Sequence, residues 1–363
     1  MTLHLHWFLP SHSDGRDIGW RPRGAGARRT VRREPDLAYL AQVALAAERL
    51  GFEGMLIPVG MFCEDPWLVS AALAGRTERI RFMIALRPGL MSPTLVAQMV
   101  ATFQRLSGDR LMLNVVVGGD PDEQRRYGDW LDHGQRYERA DEFLTILRGA
   151  WTGEPVDFEG AHHRVRAALV TRPPRTAPTV FVGGSSAGAQ DTALRHGDVY
   201  LAWGESPPEL GALLGEVRER AGGKLSCGTR FHVITRDTPE QAWAEADRLI
   251  AGMDPKTVAA AQERFRRSES EGQRRMARMS AGAEGRLEVY PNVWAGYGLL
   301  RPGAGAALVG SHEQVADRIA ELHGLGVEHL LLSGQPHLEE AYWFGEGVLP
   351  LLRERGILAE AHG

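Results

Sequence analysis

Short apolar runs and amphipathic helical patterns alternate along nearly the whole chain. Eight runs bounded by turn residues predict β-strands, at residues 3–9, 53–58, 79–86, 110–117, 178–183, 197–203, 229–235 and 328–333. Helical periodicity lies between them, at residues 37–50, 65–76, 93–107, 134–151, 186–196, 208–221, 239–252 and 337–354. Runs such as residues 82–86 are apolar on both faces, which is typical of parallel strands covered by helices. The pattern predicts an α/β protein.

Eight strand-and-helix units favour a (β/α)8 TIM barrel over an open doubly wound sheet. An open sheet rarely needs eight units, and no G-x-G-x-x-G fingerprint follows the first strand. The 363 residues would form a single domain with insertions at about 152–177 and 253–311. The first insertion has the pattern of a small β excursion. The middle of the second, residues 268–288, is charged and poor in aromatic side chains, and we expect it to act as a mobile lid.

Composition removes several classes of function. The chain has 42 Lys and Arg against 46 Asp and Glu, so its charge of −4 provides no general positive field for nucleic acid. Its two Cys are too few for a disulfide framework or a zinc cluster. We find no signal peptide and no apolar run of about 18 residues, and therefore expect a soluble cytoplasmic protein that binds no membrane. Because HExxH, CxxC, GxSxG and Walker motifs are missing, we expect no metal site and an organic cofactor.

In a barrel, function resides at the carboxyl ends of the strands, and all eight predicted strands end in polar or glycine residues. In chain order these include His12, Cys63, Arg87, Asn114, the Gly184-Ser185-Ser186 turn, Trp203, Arg230 with His232, and Gln335. Each could be a cap or a turn residue when taken alone. Their recurrence at every strand end indicates a site.

The segment VFVGGSSAGAQ at residues 180–190 has the pattern of a strand, a glycine pair, two serines and a helix start. Backbone N–H groups and hydroxyls at a helix N-terminus can bind phosphate. The alternative is an ordinary serine N-cap. A glycine pair permits a close approach that a plain cap does not require, which favours phosphate binding.

Candidate cations lie late in the chain. Arg230 and His232 are two residues apart on a predicted strand, so they point to the same side and could bind an anion. The alternative is an Arg paired with a core carboxylate. Arg301 lies in a glycine-rich loop beyond the predicted lid, either as a solvated charge or as a group that completes the site on closure.

Three further residues have a weaker signal. His133 and Tyr137 lie one turn apart on a predicted helix and by themselves have the pattern of surface or packing residues. Cys63 precedes Glu64 and Asp65, and these acidic neighbours argue against a nucleophilic thiolate.

The chain as a whole resembles the two-component alkanesulfonate monooxygenases of the bacterial luciferase-like flavin superfamily. The resemblance runs from residue 5 to about residue 355 and rests on HWFLPSHSDG (6–15), ALRPGLMSPT (85–94), LDHGQRYE (131–138), FVGGSSAGAQ (181–190), YLAWGE (200–205), PNVWAGYGLLRPGAGAALVG (291–310) and SGQPHLEEAYWFGE (333–346). It implies a TIM barrel that receives reduced FMN from an NAD(P)H-dependent FMN reductase, uses O2 as co-substrate, and cleaves a carbon–sulfur bond to give sulfite and an aldehyde. It also implies a homodimer or homotetramer.

The resemblance also assigns residues. The family's active-site positions fall on Cys63, Trp203, Arg230, His232 and Arg301, and its FMN positions on Asn114, His133, Tyr137, Gly184, Ser185 and Ser186. We take Arg301, His232 and Arg230 as the catalytic candidates. Trp203, Gln335, Cys63 and His12 join them as substrate-binding candidates. Gln335 stands where the family usually has Tyr, which puts a simple alkanesulfonate substrate in question.

Gln335 and the polar loop at residues 11–34 would add polar groups above the pocket. They suggest a hydroxylated sulfonate such as sulfoquinovose, which we weigh equally against a short alkanesulfonate; methanesulfonate and sulfones also stay open. Two other functions remain as alternatives. One is a deazaflavin-dependent oxidoreductase of the same superfamily, and the other is a non-catalytic flavin or sulfonate binder.

Overall fold

A closed barrel of parallel strands forms the centre of the molecule. The computed structural model describes residues 1–18, 32–282 and 286–358. Its strands are β1 (His4–Phe8), β2 (Gly54–Ile57), β3 (Arg81–Leu86), β4 (Leu111–Val115), β5 (Val156–Glu159), β6 (Arg164–Ala168), β7 (Thr179–Gly183), β8 (Val199–Trp203), β9 (Ser226–Arg236), β10 (Glu288–Tyr290), β11 (Val293–Trp294), β12 (Ala307–Ser311) and β13 (His329–Ser333).

The barrel strands follow one another in the order β1, β2, β3, β4, β7, β8, β9 and β13. All of these neighbours pair in parallel, and β13 pairs with β1 to close the circle. This confirms the predicted TIM barrel. The strand β9 is longer than a barrel strand needs to be, and its last residues pair with β12 above the rim. It therefore carries side chains from the barrel interior to the carboxyl-terminal face.

Helices cover the outside of the barrel, and one of them, α10 (Glu271–Gly282), lies over its upper face. They are α1 (Leu37–Leu50), α2 (Pro66–Ala74), α3 (Pro93–Ser107), α4 (Pro121–Arg126), α5 (His133–Ala150), α6 (Ala187–His196), α7 (Pro207–Arg220), α8 (Pro239–Ile250), α9 (Pro255–Arg266), α10 (Glu271–Gly282), α11 (His312–Gly324) and α12 (His337–Glu354). Local signals set many of their ends. Ser92, for example, accepts a hydrogen bond from the backbone of Leu95, and Pro93 occupies the first turn of α3.

The two insertions differ in structure. Residues 152–177 contain the antiparallel hairpin of β5 and β6, in agreement with the predicted β excursion. In the second insertion, the stretch expected to be a mobile lid contains α10, which packs against the barrel top. Met276 and Ala277 are buried on one face of this helix. These two side chains replace the aromatic anchors that the sequence lacks. The strand β12 extends β9, so the insertion ends before residue 307.

Two apolar layers hold the barrel together. The larger lies between strands and helices and includes Trp7, Phe82 and Phe344. The smaller fills the barrel interior with side chains such as Phe8 and Phe181. In the part of the chain that the structure describes, no helix is long and apolar enough to cross a membrane.

Candidate active site

The carboxyl ends of three adjacent strands bring the predicted cations together. Arg230 on β9 pairs in register with Trp203, the last residue of β8. Two residues further along β9, His232 pairs with Ser333 at the end of β13. Because residues two apart on a strand share a face, Arg230 and His232 both point to the barrel axis at its upper rim.

Arg230 is a partly buried guanidinium, and no carboxylate pairs with it among the described residues. Its Cζ lies 4.4 Å from the centre of the Phe8 ring. Its Nε is buried with no hydrogen-bond partner in that part of the chain. Burial, followed by the nearby charge of Arg301, lowers the pKa of Arg230 to about 10. The alternative of a core ion pair is therefore wrong for the described chain, and the site has the unbalanced positive charge that an anion requires.

Arg301 also lies in this pocket and is not a solvated loop charge. Its Nη2 donates to Oε1 of Gln335, and its Cζ lies 5.7 Å from the centre of the Tyr297 ring. Burial lowers the pKa of Arg301 below its usual value. Its charge reaches His12, whose pKa is lowered to about 3, chiefly by burial and then by Arg301. His12 is therefore neutral at ordinary pH, and the two arginines supply the positive charge.

His232 has both ring nitrogens engaged. Nε2 is 3.1 Å from the backbone oxygen of Ala304, and Nδ1 is 2.8 Å from Oγ of Ser333. A carbonyl oxygen can only accept, so Nε2 carries the proton and Nδ1 accepts from the serine hydroxyl. Burial, followed by the charges of Arg301 and Arg230, lowers the pKa of His232 well below its usual value. Its ring stacks on Tyr297 at 3.9 Å. In this geometry His232 contacts Ala304 and Tyr297, which flank Arg301 in the sequence, and so helps to position the loop that carries Arg301.

Gln335 links two loops of the site through both N–H groups and the oxygen of its side-chain amide. Its Nε2 donates to the backbone oxygens of Gly15, at 2.5 Å, and Asp17, at 3.0 Å. Its Oε1 accepts from Arg301. Both amide donors therefore bind the protein, and one lone pair of Oε1 is left as an acceptor for a substrate hydroxyl. Its role is to position Arg301.

Cys63 lies near the same pocket as a protonated thiol. Burial raises the pKa of Cys63 to about 11, although a hydrogen bond with Ser11 opposes the increase. The nearby carboxylate that contributes is Glu123, not the sequence neighbours proposed above. Asp65 instead caps α2 by accepting from the backbone of Trp67 and Leu68. The thiol is available as a small packing group or weak donor.

A second cluster of predicted residues forms around the N-terminus of α6. Ser186 caps this helix through the backbone of Ala189, and its side chain is also hydrogen-bonded to Tyr137. Gly184 has φ of 136°, and a Cβ there would lie 2.8 Å from Cβ of Ala189 and 3.1 Å from the hydroxyl of Tyr137. Only glycine leaves this space open. The first-turn N–H groups of α6 face it, which suits a phosphate.

The other candidate FMN-binding residues lie next to the space over Gly184, which we call the cradle. The His133 ring meets the Tyr137 ring edge-on at 5.0 Å, so these two residues of α5 form one aromatic wall. Asn114 is buried on β4, and its Oδ1 has no partner among the described residues. A buried unpaired amide oxygen is costly unless a ligand supplies a donor. Together with the cradle, these residues fit a phosphorylated heterocycle such as FMN.

The helix α10 covers both clusters. A Cβ at Gly272 would lie 3.1 Å from the ring of Trp203 and 3.6 Å from Oγ of Ser185. Arg275 forms two hydrogen bonds with Glu205, one of them 2.5 Å long. On the other side of the lid, Arg136 donates to Glu269 at 2.5 Å. Ion pairs thus attach the lid to the barrel, and the structure shows it closed.

Several site residues escaped the sequence analysis. Phe8 underlies Arg230, and Tyr297 lies between His232 and Arg301. His337 pairs with Asp14 beside them. Tyr297 and His337 both fall in segments that carried the resemblance, four residues before Arg301 and two after Gln335. Their closeness in sequence to Arg301 and Gln335 was a signal that they could belong to the site. The hydrophobic periodicity, however, does not distinguish site residues of this kind from residues that only pack in the core.

The fold and its rim of site residues define a luciferase-like barrel. A family model described as luciferase-like monooxygenase matches residues 3–329, and the chain belongs to this family. It is similar in structure to a riboflavin lyase solved with modified FMN and riboflavin, with a TM-score of 0.81, 20% identity, and coverage of 100% of this chain and 94% of that one.

Two further structures have the same fold. An EDTA monooxygenase from Chelativorans sp. BNC1 has a TM-score of 0.79 and 22% identity over 100% of this chain and 96% of its own. A long-chain alkane monooxygenase has a TM-score of 0.77 and 18% identity over 100% of this chain and 94% of its own. At these identities the likeness concerns the fold. The substrate has to be argued from this chain's own residues.

Proposed function

We propose that the protein is a two-component monooxygenase that uses reduced FMN and O2 to cleave the carbon–sulfur bond of an organosulfonate, giving sulfite and an aldehyde. The observation that carries the proposal is the partly buried guanidinium of Arg230, which has no carboxylate partner among the described residues and lies near a second partly buried cation, Arg301. Two neighbouring cations in a partly desolvated pocket are unfavourable unless an anion shares their charge.

A sulfonate suits this pair better than a neutral substrate does. It is weakly basic and stays ionised, so it needs several fixed donors. The guanidinium of Arg230 lies over the Phe8 ring, and Arg301 donates to Gln335, so each has a fixed contact and further N–H groups to offer. Trp203, beside Arg230 in register, adds an indole N–H. The reacting carbon would then lie on the side of Trp203 that faces Ser185 and the flavin cradle.

The cofactor residues follow from the second cluster. Ser185, Ser186 and the space over Gly184 would hold the FMN phosphate at the start of α6, with Tyr137 and His133 beside it and Asn114 supplying an acceptor. Reduced FMN would supply the electrons that activate O2. We expect a separate NAD(P)H-dependent FMN reductase to deliver it. The closed lid would exclude water from the reaction, and we expect a homodimer or homotetramer.

The structure bears on the choice of sulfonate. The sugar hypothesis rested on Gln335 and on polar groups of residues 11–34. Among the described residues of that loop, Asp14 binds His337 and Asp17 pairs with Arg248. Residues 19–31 lie outside the described residues. Because the two described carboxylates of the loop and both amide donors of Gln335 are engaged, we favour an alkanesulfonate over sulfoquinovose.

The test is sulfite release by the purified protein supplied with an FMN reductase, NADH and O2. Methanesulfonate, octanesulfonate and sulfoquinovose should be compared, and we expect an alkanesulfonate to give the highest kcat/KM. Sulfite from none of them, with FMN bound and reduced normally, would reject the proposal.

A second candidate is oxygenation of a polycarboxylate, because two arginines bind carboxylates as well as sulfonates and the EDTA monooxygenase has the same fold. Oxidation of an aminopolycarboxylate without sulfite release would identify this activity.

Deazaflavin chemistry is a third candidate function, since an F420-dependent alcohol dehydrogenase also has this fold, with a TM-score of 0.67 and 17% identity. Titration of the protein with FMN and with a deazaflavin, and comparison of the two affinities, would show which cofactor it uses. Tight binding without turnover of any substrate would indicate the non-catalytic binder.

A further inference from the structure

A second imidazole borders the anion pocket and, unlike His232, keeps one ring nitrogen free. His337 begins α12, and its side chain is 1% exposed. Its Nδ1 lies 3.0 Å from Oδ1 of Asp14. Its Nε2 is buried with no hydrogen-bond partner among the described residues. An unpaired buried ring nitrogen is unfavourable unless a ligand completes it.

Asp14 is held as a carboxylate by four donors. It accepts from the backbone N–H of Gly15 and of His337, each at 2.8 Å, from Nδ1 of His337, and from the hydroxyl of Tyr39. Burial alone would raise the pKa of Asp14, but His337, Tyr39 and Gly15 lower it well below its usual range. Since an ionised carboxylate only accepts, Nδ1 of His337 carries a proton. In the neutral ring, Nε2 is then left with a lone pair.

The His337 ring adjoins the two arginines. Nδ1 points to Asp14, so Nε2 lies at the opposite edge of the ring. That ring lies 5.6 Å from the ring of Phe8, and Cζ of Arg230 lies 4.4 Å from the same Phe8 ring. The His12 ring also lies beside Phe8, at 6.3 Å. His337 is therefore a neighbour of the place where Arg230 would hold a sulfonate.

We propose that His337, oriented by Asp14, is the base that completes carbon–sulfur cleavage by collapsing an α-hydroxysulfonate. Nε2 takes the hydroxyl proton, the O–H pair forms the carbonyl bond, and the carbon–sulfur bond breaks with its pair leaving on sulfite. The step is redox-neutral. Arg230 and Arg301 would bind the sulfite as its charge rises from one to two. The inference rests on the proposed function, because the oxygenation that makes the α-hydroxysulfonate belongs to it.

The pH dependence of this step has a definite sign. A general base acts only in its unprotonated form, so the rate of collapse should rise with pH and then level off. The titratable and charged groups facing His337 are Asp14 and His12 in the loop after β1, Tyr39 on α1, His232 on β9 and Arg301 beyond the lid. On α12 itself, Glu340 is paired with Arg236.

The test uses the protein without flavin or O2. An α-hydroxyalkanesulfonate made from an aldehyde and bisulfite is the probe, and sulfite release is followed with a thiol reagent. We expect the protein to accelerate release, and His337→Gln and Asp14→Asn to lose about 10²–10⁴-fold of that rate, as for loss of a general base. His232→Gln is the comparison variant. It should raise KM through the Arg301 loop and leave the pH profile in place.

The outcomes separate this inference from the proposed function. If no sulfonate is oxygenated but the probe collapses in a His337-dependent way, the proposed function fails and the base assignment stands. If sulfonates are oxygenated and His337→Gln matches the unchanged protein in both assays, the inference alone is overturned. Should the variants not fold, long-range ¹⁵N spectra of the unchanged protein decide. A neutral ring protonated at Nδ1 supports the assignment, and a neutral ring protonated at Nε2 overturns it.

Discussion

Arg301 donates a hydrogen bond to the side-chain oxygen of Gln335, and this contact turns a loop arginine into a fixed part of the pocket. The same amide donates to the backbone of Gly15 and Asp17, so one side chain joins the loop after β1 to the segment beyond the lid. The anion site therefore depends on a residue that we do not expect to touch the anion.

Substitutions of Gln335 should act through Arg301. In Gln335→Glu a carboxylate would neutralise Arg301, and we expect KM for the sulfonate to rise about 10- to 100-fold, the effect of losing one charged hydrogen bond of about 1.5–3 kcal/mol. Gln335→Ala, which frees Arg301 without neutralising it, should have the smaller effect. Steady-state sulfite release measures both. Equal KM values in all three proteins would contradict the positioning role.

Removal of the unpaired charge should stabilise the protein while abolishing binding. Arg230→Met replaces a partly buried guanidinium, which no carboxylate of the described residues neutralises, with an apolar side chain of similar length. We expect the free energy of unfolding to rise by at least about 1 kcal/mol, because the desolvation of the charge is removed. Methanesulfonate should raise the Tm of the unchanged protein and leave that of the variant unaltered. A variant that is less stable and still responds to methanesulfonate would show that Arg230 is structural.

Loosening the lid should uncouple the reaction. Glu205 is buried and pairs with Arg275 of α10, so Glu205→Gln removes the charge that holds the lid. We expect the sulfite formed per reduced FMN oxidised to fall, with hydrogen peroxide making up the difference. Glu271→Gln is the matched control, since the ion pairs of Glu271 within the described part of the chain are with arginines of its own helix. Its coupling ratio should equal that of the unchanged protein.

The two glycines before α6 should differ in their tolerance of a side chain. A Cβ at Gly184 would lie 2.8 Å from Ala189 at a φ of 136°, whereas the nearest atom to a Cβ at Gly183 is 3.7 Å away. We expect Gly184→Ala to lower the Tm and to weaken FMN binding at least 10-fold, which calorimetric titration would measure. Gly183→Ala should retain its Tm. Equal losses of stability in Gly184→Ala and Gly183→Ala would show that the backbone conformation of Gly184 is not the cause.

A histidine stack at the amino-terminal end of the barrel should make the protein acid-sensitive. Nε2 of His6 lies 3.1 Å from Nδ1 of His329, and burial lowers the pKa of His6 to about 4 from 6.5. Between these values the unfolded chain binds a proton that the folded chain does not, so stability falls as pH falls from 6.5 to 4.

We expect His6→Gln to remove part of this dependence. Between pH 7 and pH 5 the unchanged protein should lose about 2 kcal/mol more than the variant in urea unfolding. His323→Gln at the partly exposed end of α11 is the control and should behave like the unchanged protein. If the unchanged protein and both variants lost the same free energy of unfolding between pH 7 and pH 5, His6 would have to be protonated in the folded state.

The sequence by itself determined the barrel. The predicted helices at residues 37–50, 93–107 and 337–354 coincide with α1, α3 and α12 at both ends. Hydrophobic period, proline at the first turn and serine or aspartate caps are local signals, so they can be read without knowing the fold. Strand ends were also predictable, and because a barrel gathers them on one face, the list of site residues followed from the topology.

Tertiary structure decided what those residues do. Whether Arg230 meets a carboxylate, which nitrogen of His337 is free, and what Gln335 holds all depend on contacts between distant parts of the chain. Asp14 and His337 are 323 residues apart, and only the closure of β13 against β1 brings them together. The charge state of a buried group is set by its surroundings in three dimensions, through desolvation and neighbouring charge, and no local pattern encodes that environment.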